Sequence, residues 1–202
     1  MRPLSFNFNE NIENLDTSLG IKENFDIIKR EMEINSVRVI MYYVDGFVTA
    51  ALMQKLMMHL TTIKDFGDNS HNSVVEFCKK SVPSVEVDPE YDLDNVCKAV
   101  LSGCTAFLAE GFGDGAIIID TRSYPARVTA EPENDKVMRG SRDGFVETLI
   151  FNTAMIRRRI RDTNLRVKYL CVGESSKTDV LGSYTGIPEN KDERPVQDAD
   201  DL

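Results

Sequence analysis

The chain has 202 residues, 42% of them hydrophobic and 28% charged, with 24 Lys/Arg against 33 Asp/Glu and a formal net charge of −9. These values fit a soluble globular protein of one ordinary domain or two small ones around a real hydrophobic core. No membrane helix is expected, since no apolar run approaches the ~20 residues a span requires, and no secretory signal is expected, since residues 1–20 lack a basic head followed by an apolar core.

Residues 1–20 are rich in Asn and Glu and read as a flexible N-terminal arm. From Ile21 to Glu33, Ile21, Phe25, Ile28 and Met32 recur at helical spacing and predict an amphipathic helix. Val37–Val44 is branched and aromatic, which predicts a strand, and Asp45-Gly46 is the turn that leaves it. Phe47–Thr61 contains no proline and carries Leu52, Leu56, Met57 and Leu60, so a second helix follows. A polar helix is expected at about Ser70–Lys80, a short strand at Ser84–Val87, and a helix at about Asp92–Leu101 that Gly103 stops. Thr105–Glu110 and Ala116–Asp120 read as two strands of a hairpin around the loop Gly111-Phe-Gly-Asp-Gly115. Such alternation predicts an α/β layer with a mixed sheet.

Arg122–Met138 holds Pro125, Pro132 and an acidic patch without periodicity, which is the signature of a linker or long loop. Beyond it a helix is expected at about Gly144–Arg161, capped by Asp143 and packing through Phe145, Leu149, Ile156 and Ile160. Arg166–Cys171 and Lys177–Tyr184 read as strands of a second sheet. The expected fold is therefore α/β, with two small α/β subdomains, each a mixed sheet flanked by helices, the second incomplete. Residues 21–122 form the first subdomain, 123–138 the linker, 139–187 the second subdomain and 188–202 an acidic tail.

Charge is unevenly placed. Residues 122–168 hold eleven Lys/Arg against six acids, so a cationic block sits inside an acidic chain. Its centre is Arg139-Gly-Ser-Arg142-Asp-Gly-Phe145, followed by a helix that ends in Arg157-Arg158-Arg159-Ile160-Arg161-Asp162. This run resembles the signature of the spore germination GerA family, the A-type subunits of germinant receptors and their SpoVAF-like paralogues. Tyr42-Tyr43-Val44-Asp45-Gly46, Asp120-Thr121-Arg122-Ser123-Tyr124-Pro125 and Gly173-Glu174-Ser175-Ser176-Lys177-Thr178-Asp179 agree with it, and the likeness spans about Ile21–Thr185. The resemblance implies the N-terminal cytosolic domain of a spore germination protein at the core-facing side of the spore inner membrane. It also implies a non-catalytic role in assembly or signalling of a germinant receptor or ion-channel complex, with other germination subunits as homo- or hetero-oligomeric partners. Family members continue into a large membrane-spanning domain, which this chain does not contain; a truncated product and a stand-alone form both fit.

The candidate interaction residues are Arg139, Arg142, Arg157, Arg158, Arg159 and Arg161. Pairing with acids within or between proteins is the leading expectation, and Arg157 and Arg161, one helical turn apart, could share one acidic partner. Anionic lipid headgroups come second. Nucleic acid is not expected, given the overall charge and the lack of a groove-reading motif or an aromatic stacking array. Asp45, Gly46, Asp120 and Arg122 stand at strand ends, where α/β sheets commonly take ligands, and define an alternative small-ligand module sensing a nutrient or metabolite. A helix cap and a salt-bridged strand exit explain the same residues without a ligand. No catalytic set, metal site or cofactor is expected: His59 and His71 have no second ligand at helical spacing, and no Ser/His/Asp or Cys/His arrangement can be assembled. Cys78, Cys97, Cys104 and Cys171 form no Cys-x-x-Cys pair, which points to reduced thiols.

Overall fold

A computed structural model describes residues 2–81, 86–122, 145, 148–168 and 170. Five strands and five helices follow in the order α1 (Phe8–Leu19), β1 (Ile27–Ile34), β2 (Val37–Val44), α2 (Ala50–Leu60), α3 (Ser73–Ser81), β3 (Val87–Glu90), α4 (Leu93–Leu101), β4 (Thr105–Ala109), β5 (Ala116–Ile119) and α5 (Leu149–Arg159). The strands form one sheet in the order β1-β2-β4-β5-β3. All four pairings are antiparallel, so the α/β character holds but the sheet is not mixed. Antiparallel order needs no crossover helix between neighbours, and the helices are free to cover both faces.

Strand alternation sets the layers. Ile40, Tyr42 and Val44 of β2 face α1 and α4, in a core completed by Leu15, Leu19, Val96, Val100 and Leu108. Val39 and Met41 face the other way, towards Leu56, Leu60, Phe66, Phe77, Phe107 and Phe112. Asp16 of α1 takes two polar links from the sheet: Tyr42 Oη donates to its Oδ1 at 2.8 Å, and Lys29 Nζ donates to its Oδ2 at 2.7 Å. Burial, reinforced by the Asp16 hydrogen bond, pushes the Tyr42 phenol well above its ordinary range.

Two sequence expectations are corrected near the N-terminus. The expected flexible arm contains α1, with Asn7 capping the helix by accepting from the backbone N–H groups of Asn9 and Glu10. Phe8, Ile12, Leu15 and Leu19 are buried along one face, and the Asn and Glu residues that suggested an arm are mostly its wet side. The helix expected over Ile21–Glu33 is the strand β1. Apolar residues four apart or nearly so imitated a helix, but Asn35-Ser36, with φ of 50° and 66°, makes the two-residue turn that joins β1 to β2 as a hairpin. Ile27 then lies opposite Val44 and Ile34 opposite Val37.

The other elements fall close to expectation. Asp92 Oδ1 caps α4 through the Asn95 N–H at 3.1 Å, and β4 pairs with β5 around the glycine loop. In α2 the expected apolar face is carried by Leu56 and Leu60, while Leu52 is exposed. The short strand lies at Val87–Glu90, slightly later than expected. Residues 166–168 form no strand, and the one expected over Lys177–Tyr184 lies outside the described residues, as do the expected linker, Arg139, Arg142, Asp143, Gly173–Asp179 and the tail. The chain divides into two compact units, Met1–Lys168 and Tyr169–Leu202. The helix beyond the expected linker, α5, thus belongs to the same unit as the sheet.

Candidate functional site

The site is built where α5 meets the sheet. β2 ends at Val44, and the Asp45-Gly46 turn that follows is closed by Gly46 N–H donating to Asp45 Oδ1 at 2.9 Å. Gly46 has φ of +82°, and a Cβ there would come within 2.9 Å of Ile150 Cγ2 and 3.1 Å of Ala154 Cβ. Glycine is needed twice over, for the left-handed backbone and for the close approach of α5.

The buried face of α5 is Thr153, Ala154 and Arg157. The expected packing ridge is the wrong face: Phe145, Leu149 and Ile160 are 68%, 46% and 48% exposed, and Ile156 is only half-buried. The inversion has an electrostatic cause. Arg157 is fully buried and meets Asp26 in a two-pronged pair, Nε to Oδ2 at 2.5 Å and Nη2 to Oδ1 at 2.8 Å. Nη2 also donates to Asn24 Oδ1 at 3.2 Å. Nη1, equally buried, has no partner among the described residues. A charge this deep requires a paired counter-charge, and Asp26, itself 1% exposed, supplies it from the connection between α1 and β1.

That connection is tied on several sides. Asn24 Nδ2 donates to Leu19 O at the end of α1, 2.7 Å away, and Asp26 O accepts from Asp45 N at 2.7 Å. Beyond α5, Asp162 Oδ1 accepts from the Asn164 backbone N–H at 2.8 Å, which turns the chain back and accounts for the aspartate that closes the arginine motif. The returning segment docks on the same connection. Val167 N donates to Asn24 Oδ1 at 2.6 Å, Phe25 N donates to Val167 O at 3.0 Å, and Arg166 Nε donates to Glu23 Oε2 at 2.5 Å. Gly20, at φ of +61°, leaves room for the Arg166 guanidinium.

The arginine run therefore separates by role. Arg157 points inward, whereas Arg158, Arg159 and Arg161 are exposed. Arg157 and Arg161 do not share the expected acid: Arg157 holds Asp26, and Arg161 Nε donates to Arg158 O at 3.2 Å. Arg161, Asp162 and Thr163 line an open recess of about 310 Å³ with Asp94, Cys97 and Lys98 of α4. Asn24, Asp26, Arg166 and Val167 were not singled out from sequence; an Asp set among Phe25, Ile27 and Ile28 was the available signal.

The strand-end residues proposed for a ligand have other uses. Asp45 and Gly46 seat α5. Asp120 and Arg122 close on each other: Arg122 Nε donates to Asp120 Oδ1 at 2.8 Å and Oδ2 at 3.0 Å, and Arg122 Nη2 reaches Glu86 Oε2 at 3.9 Å. This is the salt-bridged strand exit. The Arg122 guanidinium, with the smaller help of a backbone N–H, draws the Asp120 carboxyl down to about 2. A depressed carboxylate stabilises the fold above its unfolded value, near 3.9, and that contribution is lost as pH falls towards 2. Asp120→Asn is accordingly expected to lower the melting temperature at pH 6 by a small amount, because Arg122 is partly solvated, and to leave stability near pH 2 unchanged. Melting curves across that range check it.

Residues 13–191 match the family described as Bacillus/Clostridium GerA spore germination protein. The chain belongs to the GerA family. Among similar proteins of Bacillus subtilis (strain 168), stage V sporulation protein AF is 39% identical over 175 residues, covering 87% of this chain and 35% of the relative. The uncharacterized membrane protein YfkQ is 30% identical, over 91% of this chain and 35% of its own length, and spore germination protein KA is 28% identical. The chain thus spans about a third of the length of these GerA relatives. The crystal structure of the N-terminal domain of the A subunit of the Bacillus megaterium spore germinant receptor GerK3 shares the fold, with a TM-score of 0.60 at 20% identity, over 86% of this chain and 62% of that one. No helix among the described residues of this GerA chain is long and apolar enough to cross a membrane.

Proposed function

We propose that this chain is a non-catalytic module of a spore germination protein, acting in assembly or signalling of a germinant receptor or ion-channel complex. Its place would be the cytosolic, core-facing side of the spore inner membrane, and its partners other germination subunits. The observation that carries this reading is the division of labour on α5. Arg157 fixes the helix to the connection between α1 and β1, and the exposed surface of the helix and its exit carries Leu149 and Phe151 in the first turn and Arg158, Arg159, Ile160 and Arg161 at the end. Exposed apolar groups and arginines on one element are the composition of a contact surface, and the cationic end suits an acidic patch on a chain whose remainder is strongly negative.

Sedimentation of the chain across ionic strength, with and without vesicles of anionic lipid, tests it. Salt-sensitive self-association that Arg158→Glu/Arg159→Glu abolishes is the expected result. Vesicle binding by a monomer would move the surface to lipid headgroups, the second reading of the arginines. Association and vesicle binding both indifferent to charge reversal would sink the proposal. The small-ligand alternative loses weight because Asp120 and Arg122 already satisfy each other.

A further inference from the structure

We propose that residues 149–168 are a strap held on the sheet by a releasable latch, with Arg157 as the bolt and the Asn24–Asp26 turn as its socket. The inference concerns how α5 is held, and it stands whether the outer face of the helix meets a protein or a lipid.

Three observations carry it. The apolar part of the strap's seat is small: of the eleven residues of α5, the buried ones are Thr153, Ala154 and Arg157, so α5 adds only Ala154 to the hydrophobic core. Little apolar area leaves water when the helix docks, and the hydrophobic contribution is correspondingly low. The main attachment is a buried ion pair, which confers geometry more than net stability because desolvation of both charges offsets their attraction. The buried Nη1 donor without a described partner weakens the closed state further. Finally, the returning segment engages the same short turn as Arg157. Asn24 Oδ1 accepts from both Arg157 Nη2 and Val167 N, so helix end and returning segment engage one socket and are expected to leave it together. Asn24 is in turn tied to α1 and Asp26 to the end of β2, so the buried charge and the returning segment are registered together at this turn, while Gly46 seats the first half of α5. A helix end and a returning segment that share one socket are released as a unit, which is the kind of element a switch uses.

Hydrogen exchange of the whole chain, read by mass spectrometry, is the test. In the unaltered protein the amides of α5 are expected to exchange at least about tenfold faster than those of β2 and β4, through a local opening that leaves the sheet closed. Asp26→Asn removes the counter-charge, and exchange in α5 and at residues 165–168 should quicken by at least about 100-fold, as expected for a broken buried pair, with β2 and β4 unchanged within about threefold. Exchange of α5 and the sheet at one common rate in the unaltered protein would overturn the latch, and this reading does not require the variant to fold. Equal acceleration of strap and sheet in Asp26→Asn, or none in the strap, would overturn it as well.

Discussion

Phe107→Ala should lower the unfolding free energy by about 3–5 kcal/mol, the range for removing a fully buried aromatic ring. Phe107 lies on β4, the middle strand of the sheet, and has no exposure to solvent. Its ring centroid stands 5.7 Å from that of Phe112 in an edge-on contact, 6.2 Å from Phe77 and 6.3 Å from Phe66. Phe77 packs in turn on Phe66 at 5.4 Å and Phe112 at 4.8 Å, so the four rings form one cluster. Truncation opens a cavity at its centre, and the flanking sheet and α3 cannot both collapse into it. Aromatic pairing adds to the area lost. Urea denaturation should show a lower midpoint at an unchanged slope. Phe6→Ala, at a ring 53% exposed, should shift the midpoint by no more than about 0.5 kcal/mol equivalent. Equal effects of the two substitutions would mean that the cluster is not the centre of this core.

The second large effect is expected at Arg157. Arg157→Ala leaves the Asp26 carboxylate buried without its counter-charge and removes the two-pronged contact, a loss of about 3–5 kcal/mol from the docked state. Arg158→Ala and Arg159→Ala alter exposed side chains and should cost less than about 0.5 kcal/mol each. Because the loss falls on docking of α5, trypsin gives the clearest reading: cleavage after Arg158, Arg159 and Arg161 should accelerate in Arg157→Ala, since a docked helix resists the extended conformation a protease needs. The sheet's own urea transition should move much less than in Phe107→Ala. A cleavage rate equal to that of the unaltered chain would show that Arg157 does not hold the helix.

The arginine run is thus two devices written in one residue type. Nothing in the composition of Arg157-Arg158-Arg159 distinguishes the residue that is buried from its neighbours, because all three are strong, permanently charged donors. Placement differs only because the connection between α1 and β1 brings Asp26 and Asn24 beneath one of them. This chain spans about a third of the length of stage V sporulation protein AF and YfkQ.

What the sequence determined by itself was whatever depends on neighbours along the chain. β2, α2, α4 and the β4–β5 hairpin were legible because side-chain period, caps and turn residues act within a few positions, and family membership was legible in the wording of the arginine motif. Local signals also misled where two of them competed. The Asn-rich face of α1 hid the spacing of Phe8, Ile12, Leu15 and Leu19, and the spacing of Ile21, Phe25, Ile28 and Met32 imitated a helix although Asn35-Ser36 marked a hairpin. The tertiary structure alone decided which face of α5 turns inward and that Asp45-Gly46 seats a helix. Burial of a charge depends on finding its counter-charge, and here the partners, Arg157 and Asp26, lie 131 positions apart, a distance over which no periodicity or propensity reports.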